Sequence, residues 1–328
     1  MKFKSFMILI MVAVLTLVIL ASCESKETFK EGKAPRVIRI GGIKGSGEVA
    51  IAKNKQLFEK EFQKEGVQIQ YTYFDHGPAM IESFISGKID IGTLGDQPII
   101  TAIGKGLNAK IIANQDSGYD FQGLLVPKDS PIKSIYDLKG KKIATTIGTV
   151  NHHLLSLYLE KAGIKQSEIQ LINVKFADCL NAIETNNVDA TVVSEPQLSL
   201  AQSKGVGKVI ETGRGYKKVV GVIAASDDFT KEYPDITARI LKVYDKARNL
   251  YLNGDEEAIK IAAAESLLPK DIILKLSKNS KKGLAITDDN IKEFKSTYNF
   301  LRKSKVLQKD VDIEKFYDRS FLIKAGLK

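Results

Sequence analysis

The chain has 328 residues, 44% hydrophobic and 27% charged, with 25 glycines and 8 prolines. These are globular proportions with length for about two domains, and two cysteines exclude a disulfide framework. The net charge of +10 is spread over Lys-rich helix faces, and the one dense run, KGKK at residues 139–142, lacks interleaved aromatics, so no nucleic-acid partner is expected.

The chain opens MKFKSFMILIMVAVLTLVILASC, two lysines followed by a long apolar run and then small residues before Cys23. A short basic segment ahead of an apolar one is the layout of a secretory signal. The run from Phe6 to Leu20 is shorter than the ~20 residues of a membrane span. Leu20-Ala21-Ser22-Cys23 resembles the lipobox of bacterial lipoproteins. That resemblance implies cleavage before Cys23, a diacylglyceryl thioether on it, and a chain lipid-anchored at the cell membrane, facing the periplasm or the exterior. Residues 1–22 are then a signal peptide, and 23–35, polar and aperiodic, are a flexible tether. Cys179, the remaining thiol, lies in the amphipathic FADCLNAIE and is expected in the core.

From Arg36 strands and helices alternate, which predicts βαβ units and a mostly parallel sheet. VIRIGGI reads as a strand, GEVAIAKNKQLFEKEFQKEG as one helix ended by Gly66, and VQIQYTYF as a strand. PAMIESFISGK is a helix, IDIGTL a strand, PIITAIGKG a helix, and AKIIAN and FQGLLVPKD strands. The plan restarts with strands in KKIATT, IQLINVKF and VDATVVSE, separated by helices in LLSLYLEKAGI, ADCLNAIETNN and PQLSLAQSKG. Gly87–Ile91 and Asn186–Ala190 echo each other as a polar turn before a strand, suggesting two α/β lobes of similar construction. After the strand in YKKVVGVIAASDDF, helices are expected over 228–247, 255–266, 269–282 and 288–303. The reading places lobe 1 at 36–125 and 218–328 and lobe 2 at 126–217. Two crossings, near 124–128 and 216–224, then form a hinge with a ligand cleft between the lobes.

No GxSxG, HExxH, P-loop or repeated CxxC occurs, and GGIKGSGE matches a dinucleotide loop in no register. A metal-dependent surface enzyme using His76, His152 and His153 is an alternative. However, adjacent helical residues point about 100° apart, so His152 and His153 cannot both face one ion. No metal, cofactor or catalytic residue is therefore expected. Loops at the C-terminal ends of strands are better candidates. Gly45 and Ser46 follow the first strand, Gly95, Asp96 and Gln97 follow IDIGTL, and Thr149, Val150, Asn151 and His152 open a helix after KKIATT. Ser194 and Glu195 follow VDATVV. Helix starts offer unpaired N–H groups and a positive dipole end, and small residues let an anion approach.

These residues resemble the substrate-binding proteins of ABC importers for sulfonates, taurine and nitrate. The resemblance is carried by IRIGGIKGS, FDHGPAMIESFISGKIDIGTLGDQP, SPIKSIYDLKGKKIA, GTVNHHLLSLYLEKAGI, NVDATVVSEPQLSLA and KVLQKDVDIEKFYD, over nearly the whole chain after the tether. It implies a type 2 periplasmic-binding-protein fold of two α/β lobes without catalysis. It also implies a monomer delivering a small organic anion to a permease and ATPase complex. By position, the loops at Gly45–Ser46, Gly95–Gln97 and Thr149–His152 would cradle the anionic head. Glu195 stands where such proteins often carry an acid before proline. The chain has no tryptophan, and Ser194 replaces the aromatic common before that acid. Nitrate or a thiamine-pyrimidine precursor are the alternative ligands the resemblance allows.

Overall fold

A computed structural model describes residues 34–45, 47–280 and 283–327. Signal peptide, Cys23 and nearly all of the tether lie outside the described residues, as does Ser46. Among the described residues ten strands follow in chain order: β1 (Val37–Ile43), β2 (Gln68–Phe74), β3 (Ile91–Gly95), β4 (Ala109–Gly118), β5 (Gln122–Pro127), β6 (Lys142–Thr145), β7 (Gln170–Asn173), β8 (Ala190–Ser194), β9 (Gly207–Thr212) and β10 (Val219–Ser226). They form two five-stranded sheets, ordered β2-β1-β3-β10-β4 and β7-β6-β8-β5-β9.

The two sheets share one plan. In each, four strands share one direction and a single reversed strand arrives from the other sheet: β10 between β3 and β4, β5 between β8 and β9. Each sheet is therefore parallel in four of its five strands, with one reversed strand that the alternating pattern did not announce. Strand direction depends on where a chain segment comes from, which local pattern does not encode. The internal echo has a physical basis here. Asp90 accepts the Arg39 N–H through its carboxylate and donates its own N–H to the Arg39 carbonyl; Asp189 does the same with Lys142. Each aspartate thus ties the start of one strand to its neighbour in the sheet.

The chain passes from the first sheet to the second between Gly118 and Gln122 and returns between Thr212 and Val219. Residues 122–125, read from sequence as part of the first lobe, pair in the second sheet with β8 and β9, so the crossing falls earlier than expected. Strand β9 was not anticipated. Its six residues are all half-buried, so its burial does not alternate in the way an amphipathic strand would show.

The helices are α1 (Gly47–Asn54), α2 (Leu57–Phe62), α3 (Gly77–Ile85), α4 (Asp96–Gly104), α5 (Val150–Ala162), α6 (Cys179–Glu184), α7 (Gln197–Ser203), α8 (Asp227–Glu232), α9 (Pro234–Leu252), α10 (Glu256–Ser266), α11 (Lys270–Asn279), α12 (Asp288–Lys303) and α13 (Ser320–Lys324). The helix expected over 47–66 is broken by Gln56 at φ 53, a left-handed residue with no glycine to announce it. Pro234 at the first turn of α9 separates it from α8, because proline tolerates a helix start but not an interior.

Core residues alternate along the central strands. Val220, Val222 and Ala224 of β10 pack with Met80, Ile99 and Phe294, while Ile223 and Ala225 pack with Ile38, Phe58 and Tyr244. In the second sheet Leu124 and Val126 join Leu154 and Tyr158, and Leu125 joins Cys179 and Leu198. Both sheets are thus covered on both faces, which explains their near-continuous apolar sequences. Cys179 is buried, as its amphipathic segment suggested.

Candidate functional site

A cavity of about 340 Å³ opens where the strand ends of the two sheets meet, and both sheets supply its walls. One wall consists of helix starts. Gly95 precedes α4 and Thr149 precedes α5, and neither contributes a side-chain cap. The Thr149 hydroxyl donates backward to the Thr146 carbonyl at 2.7 Å, leaving the first α5 amides uncapped. The two helix starts are in contact range: a Cβ on Gly95 would lie 3.4 Å from Val150 Cγ1. Beside them the Ser194 hydroxyl donates to Asn151 Oδ1 at 2.6 Å, fixing the first turn of α5 to the end of β8.

Thr93 and Gln115 complete this wall from β3 and β4. Thr93 Oγ1 and Gln115 Nε2 are buried without a hydrogen-bond partner among the described residues. A buried polar atom left unsatisfied costs about 1–3 kcal/mol, so such atoms on a cavity wall are available to a ligand.

The other wall is more apolar. Gly47 of α1 packs against Ala262 of α10, and Ala262, Ile273 and Leu268 share a small apolar cluster with Tyr251 and with Leu200 of α7. Ala262, Ile273, Leu276 and Tyr251 face the cavity, with Phe121 and Phe176 contributed from the β4–β5 crossing and the segment before α6. Charges on the walls are balanced unevenly. Glu48 is paired with the buried Arg248 at 2.6 Å, and Lys44 with Asp75 at 2.7 Å on the exposed rim. Glu195 instead accepts the Ser199 N–H at 3.0 Å and the Ser199 hydroxyl at 2.9 Å, and burial pushes its carboxyl above the usual range.

Of the residues singled out from sequence, Gly45, His76, Gly95, Thr149, Val150, Asn151, Ser194 and Glu195 lie on the cavity wall. Asp96, Gln97 and His152 do not. Asp96 is fully buried, its carboxylate held by Lys217 and Thr297 at 2.6 Å each. Gln97 is buried with its N–H donated to Asp96 Oδ1. The first two residues of α4 therefore turn into the protein, and only their backbone belongs to the helix start. His152 sits edge-on to Phe300 and His153 stacks on the same ring at 4.1 Å. Burial lowers both imidazoles, His153 to about 2. His76 caps α3, its Nδ1 accepting the Ala79 N–H at 3.3 Å. Among the described residues no three His, Cys, Asp or Glu side chains gather as metal ligands.

Sequence reasoning missed Gln115, Tyr251, Ile273, Leu276, Phe121 and Phe176. Each reads locally as an ordinary strand, helix or turn residue, and only the packing of α10 and α11 over the strand ends brings them to one place.

Comparison with known proteins fits this geometry. Residues 50–258 match the family described as NMT1/THI5 like. A Bacillus subtilis (strain 168) protein named for binding aliphatic sulfonates is 30% identical over 320 residues, covering 97% of this chain and 96% of the relative. A second protein named in the same way, from Escherichia coli (strain K12), is 31% identical over 73% of this chain and 75% of its own. The crystal structure of the periplasmic aliphatic sulphonate binding protein from Escherichia coli superposes with a TM-score of 0.77 at 28% identity, covering 86% of this chain and 97% of that one.

Proposed function

The chain belongs to the NMT1/THI5-like family, and from that premise we propose that it is the extracytoplasmic solute-binding component of an ABC importer. It captures a small organic anion, an aliphatic sulfonate in the first instance, between its two lobes and delivers it to a permease and ATPase. One observation carries the reading: the uncapped start of α5 at Thr149 and Val150 meets Gly95 at the end of β3 beside the unpartnered Thr93 Oγ1 and Gln115 Nε2, on the wall of a cavity whose other side is largely apolar. Helix N-termini stabilise an anion through free amides and the positive dipole end, and a sulfonate presents three acceptor oxygens to such donors. The apolar side suits a hydrocarbon substituent, which nitrate lacks.

Nothing in the cavity performs chemistry on the ligand. His76 on the cavity wall spends its Nδ1 on the α3 cap, His152 and His153 pack on Phe300, and Glu195 is bound by Ser199. The chain's own residues bind, orient and exclude water. Isothermal titration calorimetry of the folded body against alkanesulfonates, taurine, nitrate and pyrimidine precursors tests the reading. Saturable binding of sulfonates at 1:1 is expected, and binding of only the pyrimidines would replace it.

We further propose that Cys23 carries the lipid that holds the protein at the membrane. The support is the sequence itself, in which Leu20-Ala21-Ser22-Cys23 ends the basic and apolar leading segment. Cys23→Ser should move the protein from the membrane fraction to the soluble one on fractionation, and retention in the membrane would remove the anchor assignment.

A further inference from the structure

Resting on the sulfonate-capture reading, we infer that the α11 face carrying Ile273 and Leu276 gauges the ligand's tail. The chain is then selective for sulfonates bearing several carbons over the smallest ones. The first observation is size. A cavity of about 340 Å³ falls in the range of roughly 300–1,000 Å³ that houses drug-sized ligands, far more room than a head group alone requires.

The second observation is the division of the walls. The anionic head has its donors at the α5 start and at Thr93 and Gln115, whereas Glu195, Tyr251, Ile273 and Leu276 line other parts of the same cavity. Glu48 is neutralised by Arg248, and Glu195 is held by Ser199 and feels the charge of Lys275 on α11. The division of the walls sets the orientation: head at the α5 start beside Thr93 and Gln115, hydrocarbon toward Ile273 and Leu276 of α11.

The third observation is the surface the hydrocarbon would meet. Ile273 and Leu276 are three apart and share one face of α11, and Ser280, the extended residue that ends the helix, also lines the cavity. Ile273 is anchored from behind by Ile259, Ala262, Ala263 and Leu268, which makes it a firm stop. Leu276 packs at the edge of that cluster and is only half-buried, so it keeps apolar surface for a ligand to cover.

The experiment is a chain-length series by calorimetry on the folded protein, from ethane- through butane- and hexane- to octanesulfonate. Each methylene buried is worth about fourfold in affinity (about 0.8 kcal/mol), so affinity should climb by up to about fourfold per carbon and then level off when the tail reaches Ile273. In Leu276→Ala the hexane-to-ethane affinity ratio should fall about tenfold. In Leu276→Phe the levelling should come at a shorter chain, which keeps the test independent of a destabilised alanine variant. Affinity that ignores chain length in the wild type, or a ratio unchanged in both variants, overturns the inference while leaving capture of sulfonates intact. Failure of every sulfonate to bind would sink the capture reading and this inference with it.

Discussion

Behind the α4 and α5 helix starts, Asp96, Lys217, Thr297 and His153 meet in a buried polar knot. Lys217 Nζ donates to Asp96 at 2.6 Å and to Thr297 Oγ1 at 2.7 Å, and Thr297 Oγ1 lies 3.4 Å from His153 Nδ1. Burial is the main force lowering His153, and the Lys217 and His152 charges add to it. Asp96 and Glu293 are the acids nearest this knot; Asp96 is already paired with Lys217, and Glu293 feels Lys217, Lys218 and Asp96. A histidine whose folded value is depressed binds its proton in the unfolded chain first. Its contribution is therefore complete above pH 6.5 and is lost as pH falls below that, down to about 2. The wild type should lose about 1.4 kcal/mol of stability per pH unit below 6.5 relative to His153→Gln. Urea titrations at pH 7.5, 6 and 5 measure the difference, and parallel curves for the two proteins would contradict it.

At the scale of elements, the sequence announces most strands because their cores are written as apolar runs between turns, as in β1, β3 and β8. Helix starts were legible for the same local reason, and they brought Gly95, Thr149, Val150 and Asn151 to notice. What local pattern cannot carry is direction and partnership. Nothing in YKKVVGVIAAS says that β10 returns antiparallel beside β3, and nothing in Lys217 says it ends fully buried. A Lys-Lys pair reads as a solvated surface, yet Lys217 is held inside because Asp96 arrives from a strand end over a hundred residues away. Asp96 is the other half of that pair. It was read as a ligand contact because it begins a helix at a strand end, and its side chain is consumed by the lysine instead. The apolar wall was invisible for a third reason: α10 and α11 look like any amphipathic pair until the fold sets them over the strand ends.

At the scale of the molecule, everything depends on two chain crossings that bring the sheets together. They are fastened at Gly213. Its N–H is shared between the Tyr119 carbonyl at 3.0 Å and the Gln122 carbonyl at 3.1 Å, and its own carbonyl accepts from Lys217 N at 2.8 Å. Gln122 Nε2 adds a bond back to the Lys217 carbonyl at 3.1 Å. The outgoing and returning segments thus touch backbone to backbone, and a Cβ at 213 would lie 2.2 Å from Lys217 O and 2.7 Å from Tyr119 O. Both obstacles are main chain, so neither can swing aside as a side chain could. Gly213 lies outside the cavity wall, which makes it a clean probe of whether the crossings set the relation between the lobes. Gly213→Ala must push the crossings apart, and overpacking of this kind costs about 1–3 kcal/mol. If the lobes move about this point, the spread will also misplace the α4 start relative to the α5 start. Sulfonate affinity should then fall together with the denaturation midpoint. A variant of unchanged affinity and lowered midpoint would mean that the crossings hold the fold without setting the closure of the cleft.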